Sequence, residues 1–301
     1  MSEGAPILLD GGTATELHRA GVSLREPWWT SRVLLTGEKR ALLRDVHRSF
    51  IAAGAEVITA NTFRCNLRTL RRAGLDAAGL GWMVHAAVGV ALAARAESAA
   101  APLVAGSVAP VEDCYRPDLA PPDDDMRDEH RWLTTELVRA GVDLVLIETM
   151  NTVREARIAL EAAQEAGARA WVGFACRADG RLLSGEDLGA AARAVEDAGA
   201  EAVLVNCTAP AAMERCLAAL SAACSGPIGA SPNLEDRTGV PPRTPVDRPL
   251  PTALDAEGFA ELADRWRTEH GLRIVGGCCG TTPAHLAALG DRFTSRSAAL
   301  R

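Results

Sequence analysis

The sequence predicts a single (β/α)8 TIM barrel, and three observations carry that prediction. Short β-rich apolar runs alternate with longer Ala-, Leu- and Arg-rich stretches of helical period along the whole chain, which is the alternation of a parallel sheet with crossover helices. The junction from helix to strand recurs as AGAE at 53, AGVD at 140, AGAR at 166 and AGAE at 198. Eight such units in 301 residues match the size of a closed barrel, whereas an open doubly wound sheet has fewer strands and a Gly-rich first turn.

In chain order the strands read as 7–9, 56–60, 103–106, 144–148, 170–175, 202–206, 228–230 and 273–276. Helices fall between them, at 39–53, 77–98, 128–140, 153–166, 188–198, 211–223, 256–269 and 283–293. Gly54, Gly141, Gly167, Gly199 and Gly271 suit the helix C-termini, because glycine adopts the left-handed turn that ends a helix without steric cost. Two segments break the rhythm: 111–125, rich in Pro and Asp, and 233–253, rich in Pro. Both are expected as long βα loops over the barrel mouth, where the active sites of such barrels lie, and both are candidate lids. The chain is thus expected to form one domain over 1–301.

Composition narrows the function. Apolar residues at 48% and charged ones at 24% suffice for a large buried core. A net charge of -7 without a block of Lys and Arg excludes a nucleic-acid surface. No uncharged apolar run of about 18 residues is counted, so no membrane span is expected. The opening MSEGAPILLDGG lacks a basic and apolar leader. A cytoplasmic protein acting on small molecules is expected. Eight cysteines are too sparse for a disulfide scaffold, which leaves them as thiols or metal ligands.

The most informative stretch is Gly276-Gly277-Cys278-Cys279-Gly280, where the eighth strand gives way to the last helix. Neighbouring side chains of a strand point to opposite faces, so both thiols reach one ion only where the backbone leaves strand geometry, and the flanking glycines permit that. Cys207 stands at the matching end of the sixth strand. Closure of the barrel would bring these ends together. Three protein ligands with an open fourth place make the pattern of a catalytic zinc site. Thiolates select Zn2+ among common divalent ions, and a thiol bound there loses its proton, so the substrate should itself be a thiol. Cys65, Cys114, Cys176, Cys216 and Cys224 read as small buried hydrophobes. A cysteine activated by histidine is the weaker reading: the histidines mostly fall in helix segments, and none marks a strand end.

The segments LLDGGTATEL (8–17), HRSFIAAGAEVITANTF (47–63), AGSVAP (105–110), ETM (148–150), VNC (205–207) and GGCCGTTPAHL (276–286) resemble the homocysteine S-methyltransferase family nearly end to end. The resemblance implies a (β/α)8 barrel in which Cys207, Cys278 and Cys279 bind zinc and homocysteine supplies a further sulfur. It also implies that Asp10 and Glu148 hold the substrate ammonium, that backbone N–H groups of Gly11, Gly12 and Thr13 meet its carboxylate, and that Asn206 belongs to the substrate contacts. Trp28 and Trp29 fall where the family keeps a donor-side Trp. Thr149 stands where the betaine-using branch has Tyr, and aromatics are 4% of the chain. The chain therefore resembles more closely the short enzymes that take S-methylmethionine or S-adenosylmethionine. Two alternatives stay open: transfer to another small thiol or selenol, and a non-catalytic zinc or thiol-binding protein with a fourth protein ligand.

Overall fold

The computed structural model describes residues 5–25, 27–236, 238, 240 and 250–299. All eight expected strands form: β1 (Ile7–Leu8), β2 (Val57–Ala60), β3 (Leu103–Val108), β4 (Leu144–Met150), β5 (Ala170–Phe174), β6 (Ala202–Asn206), β7 (Ile228–Ser231) and β8 (Ile274–Val275). Each pairs in parallel with its sequence neighbour from β2 to β8, and β8 pairs with β1 through Ile7–Ile274 and Leu8–Val275. The ring closes between β1 and β2 at a Leu9–Val57 bridge. There Asp10 N–H donates to Val57 O at 3.0 Å and Glu56 N–H to Leu8 O at 2.8 Å. The architecture is a (β/α)8 barrel.

Alternation along the strands builds two cores. Leu144 and Leu146 join Leu9, Val57, Trp171 and Leu204 in a cluster drawn from the strand segments alone. Val145 and Ile147 face the other way, into the larger cluster shared with Phe50, Leu137, Leu160 and Leu217 of the helices. Inward residues fill the barrel and outward ones seat the helical ring, so the strand ends are held rigidly around the mouth.

The helices are α1 (Thr13–Arg19), α2 (Gly37–Ala52), α3 (Leu67–Arg72), α4 (Ala77–Ala96), α5 (Asp123–Ala140), α6 (Val153–Glu165), α7 (Leu188–Glu196), α8 (Pro210–Ala223), α9 (Ala256–His270) and α10 (Pro283–Ala299). Gly141 and Gly271 cap α5 and α9 in the left-handed region, at φ 93° and 71°, as their sequence positions predict. Two expectations need correction. The loop read at 111–125 ends at Pro122, because Asp123, Asp124 and Asp125 form the first turn of α5, where carboxylates favour the positive end of the helix dipole. The stretch that became α4 is in fact long and apolar enough to cross a membrane. In this fold its Leu80, Val84, Ala87, Val88 and Ala91 are buried in the barrel wall. Of the second expected loop, 237, 239 and 241–249 lie outside the described residues. Its two ends are clasped by a Glu235–Thr252 bridge.

Candidate active site

A cavity of about 1700 Å³ opens over the C-terminal strand ends, and Asp10, Glu148, Asn206, Cys207, Cys278 and Cys279 all line it. The three cysteine sulfurs lie within 4.8 Å of one another. Those of Cys207 and Cys278 are in direct contact, with Cα atoms 5.6 Å apart, and Cys278 Sγ is 3.9 Å from Cys279 Sγ. No other His, Cys or carboxylate joins this cluster among the described residues.

Backbone strain and glycines produce this convergence. Cys207 sits at φ 49°, a left-handed conformation costly for a side chain bearing Cβ. Its N–H donates to Ser231 O at 3.0 Å, which holds the turn against β7. After β8 the chain leaves strand geometry at Gly276, where an added Cβ would lie 2.7 Å from Leu9 O. Cys278 N–H then donates to Pro232 O at 2.9 Å, and Cys279 O accepts from Leu234 N–H at 2.7 Å. Gly280 (φ 80°) passes so close to the Leu234–Glu235 backbone that a Cβ would stand 2.6 Å from Glu235 N. Adjacent cysteines thus reach one point because both sides of the loop are pinned. Burial, reinforced by the nearby Glu235 and Glu148 charges, pushes the Cys279 thiol up to about 12. A bound cation reverses that preference, since a coordinating thiol is deprotonated outright. Three convergent soft donors with one side open to the cavity fit a divalent metal ion with one exchangeable place.

The two carboxylates stand beside the thiols. Asp10 accepts from Thr59 N–H and from Thr59 Oγ1, both at 2.8 Å, and Ser107 Oγ donates to Glu148 at 2.6 Å. Burial raises both acids to about 7 despite these bonds, and the proximity of Asp10 raises Glu148 further. Neither carboxyl has a cationic partner among the described residues, so a cation entering the cavity would favour their ionised forms. Asn206 lines the cavity and is at the same time tied into the protein. Its amide nitrogen donates to Thr149 Oγ1 at 2.8 Å and to Glu148 at 3.3 Å, while its oxygen accepts from Thr149 N–H at 2.9 Å. It thereby ties the end of β4 to the residue preceding Cys207. The same bonds hold Thr149 at φ 58°, fully buried and away from the cavity wall.

The Gly11–Thr13 turn is narrower in its offer than the resemblance implies. Gly12 N–H already donates to Thr281 O at 3.1 Å and Thr13 N–H to Gly11 O at 2.9 Å. Neither is free for an anion. The next N–H groups, of Ala14 and Thr15 at the start of α1, have no acceptor among the described residues. Gly12 earns its place sterically, since a Cβ there would be 2.7 Å from Cys278 O. The tryptophans separate as well: Trp28 packs against the main core, whereas Trp29, at φ 44°, lines the cavity. Phe63 and Tyr115 line it too, so aromatic side chains are better represented here than the composition suggests. Thr59, Ser107, Phe63 and Arg64 were not singled out in the sequence; AGSVAP and ANTF contained two of them, Ser107 and Phe63, without showing which atoms they meet.

The comparisons with known proteins agree with this geometry. The family profile described as homocysteine S-methyltransferase matches residues 7–293. Homocysteine S-methyltransferase YbgG of Bacillus subtilis is 27% identical over 297 residues, covering 93% of this chain and 92% of that protein. Selenocysteine Se-methyltransferase of Brassica oleracea var. italica is 27% identical, covering 97% and 90%. Among solved structures, the metallated form of the Escherichia coli homocysteine methyltransferase MmuM superposes with a TM-score of 0.82 at 28% identity, over 96% of this chain and 97% of that one.

Proposed function

From the fact that this chain belongs to the homocysteine S-methyltransferase family, and is a methyltransferase, we propose that it methylates homocysteine to methionine with a sulfonium as donor and Zn2+ as its metal. The observation that carries this reading is the convergence of Cys207, Cys278 and Cys279 on one cavity-facing point beside two carboxyls raised to about 7. When bound by these thiolates, zinc would supply a Lewis acid that keeps a substrate thiol ionised at neutral pH.

The protein's own residues do the rest. Asp10 and Glu148, ionised by the arriving ammonium, hold the amino acid by charge, and Thr59, Ser107 and Asn206 fix their rotamers. The unpaired N–H groups opening α1 suit the substrate carboxylate. Homocysteine's sulfur forms the new bond to the methyl carbon as the donor's carbon–sulfur bond breaks. That electron pair stays on the donor sulfur, which leaves as a neutral thioether, and the thiol proton goes to solvent. No base need touch the methyl group, so rate comes from alignment within the cavity and exclusion of water.

S-Methylmethionine and S-adenosylmethionine are the proposed donors. Each carries a methyl activated by cationic sulfur. The test is methionine formation by zinc-loaded protein with each sulfonium and with betaine, together with metal analysis. About one zinc per chain is expected, and turnover with a sulfonium. A metal-replete protein inactive with every sulfonium overturns the reading. A selenol acceptor is a second reading, favoured by the similarity to the Brassica protein and by a thiolate cluster that senses the chalcogen. Competition between homocysteine and selenocysteine separates the two.

A further inference from the structure

The wall of the cavity also carries a cation to which the proposed binding of the acceptor gives no role. Arg64 follows Phe63 in the loop after β2 and lines the cavity. It is half-buried. Its guanidinium donates to Glu112 O at 3.0 Å and lies 3.8 Å from Cys114 Sγ; no carboxylate pairs with it among the described residues. Arg68 and Arg72, further along the chain, behave differently, since Arg68 is bound to Glu112 and Glu129 and Arg72 to Glu112. A guanidinium offers five N–H donors in a planar fork matched to carboxylate. A partly desolvated one without an anion is electrostatically incomplete.

Its surroundings suggest what completes it. The Arg64 guanidinium stands 5.2 Å from the Phe63 ring, and that ring packs on Trp29 at 5.2 Å between centroids. The strained backbone of Trp29 presents the indole to the cavity. Thr30, next in the chain and also lining the cavity, has a buried hydroxyl without a partner among the described residues. A fork for carboxylate, aromatic faces for a cation and an unspent hydroxyl form the complement of a zwitterionic sulfonium.

We propose that Arg64 anchors the carboxylate of the methyl donor and so selects amino-acid sulfoniums over sulfoniums lacking that group. The inference rests on the sulfonium reading above. Bound by Arg64, the donor carboxylate would be held beyond Phe63 and Trp29, with the sulfonium between these rings and the thiolate cluster. The rival explanation is that Arg64 only tethers the loop containing Glu112 and Cys114.

Steady-state kinetics of the zinc-loaded wild type, Arg64→Met and Arg64→Lys decide between them, using S-methylmethionine and its carboxylate-free counterpart, (3-aminopropyl)dimethylsulfonium. The analogue is read as a substrate or, where it does not turn over, as a competitive inhibitor. In Arg64→Met the KM for S-methylmethionine should rise roughly tenfold or more, while the constants for the analogue and for homocysteine hold. The wild-type preference between the two sulfoniums then collapses. Equal losses with both sulfoniums, or an intact preference, overturn the proposal and leave the sulfonium mechanism standing; a wild type that uses neither overturns both. Should Arg64→Met fail to fold, Arg64→Lys decides alone: it keeps the charge and loses the fork, so a rise confined to S-methylmethionine supports the anchor and an unchanged preference refutes it.

Discussion

Replacing Asp10 with Asn should stabilise the protein at mildly alkaline pH while weakening its hold on homocysteine. Asp10 is 3% exposed, and burial raises it from 3.8 to about 7. Below the lower value folded and unfolded chains are both protonated, and the residue has no effect on pH dependence. Between the two values the unfolded chain ionises while the folded one keeps its proton, so stability falls as pH rises; above about 7 the full cost stands. A difference of this size corresponds to roughly 4 kcal/mol, at about 1.36 kcal/mol per tenfold change in ionisation. Asparagine keeps one acceptor for Thr59 and forfeits the other, a loss of about 1 kcal/mol. Glu148, raised to about 7 partly by Asp10, would ionise more readily in the variant.

The expected net is a gain of about 1–3 kcal/mol near pH 8 that disappears near pH 4 and turns there into a loss of up to about 1 kcal/mol. Denaturant unfolding of wild type and Asp10→Asn at both pH values, at matched metal content, reads it directly. Calorimetric titration adds the functional half: homocysteine should bind the wild type more tightly as pH rises toward 7, by up to about tenfold per pH unit for each proton released. Asp10→Asn should bind more weakly and release fewer protons. A variant equally destabilised at both pH values, or one with unchanged homocysteine affinity and proton release, would refute the argument that this carboxyl is held ready for an ammonium.

Three further outcomes follow from the geometry. Cys207→Ala, Cys278→Ala and Cys279→Ala should each lose most bound zinc together with activity, because two thiolates hold the ion poorly; full metal content by elemental analysis in all three would remove the cluster from the mechanism. Gly173→Ala should raise the KM for homocysteine with zinc retained, since a Cβ there would lie 2.9 Å from Asn206 Oδ1 and would displace the amide that braces Glu148 and Thr149; an unchanged KM would show that the brace has no bearing on binding. Betaine should be a poor donor beside either sulfonium at equal concentration, because its methyl is attached to nitrogen and is less activated; methionine formation faster from betaine would overturn the donor assignment.

The contrast between what could and could not be read from the sequence lies in which interactions are local. Strand and helix periodicities are local, so β6 falls at the expected residues, and the other strands differ only at their ends. The CCG motif announces its own departure from strand geometry through its glycines, and closure of an eight-stranded barrel then places Cys207 nearby, so the thiolate cluster could be foreseen. The protein partners of Asn206 could not be read from the sequence, because they depend on the register that sets β4 beside β5 and β5 beside β6. The needed clue was the glycine at 173, whose missing side chain makes room for that amide. Trp28 and Trp29 are adjacent and chemically identical, and only the left-handed backbone of the second sends one indole to the cavity and leaves the other against the core. Helices α1 and α3, with 7 and 6 residues, are too short for a periodic signal; α3 is preceded by its N-cap Asn66, whose side chain accepts from Thr69 N–H at 2.9 Å. Arg64 is the sharpest case. Beside Arg68, Arg71 and Arg72 it reads as one more charge in a basic stretch, and its distinction is that it lines the cavity with no carboxylate partner among the described residues. That lack is a property of the folded chain, which distributes the available carboxylates among some arginines and leaves this one facing the cavity.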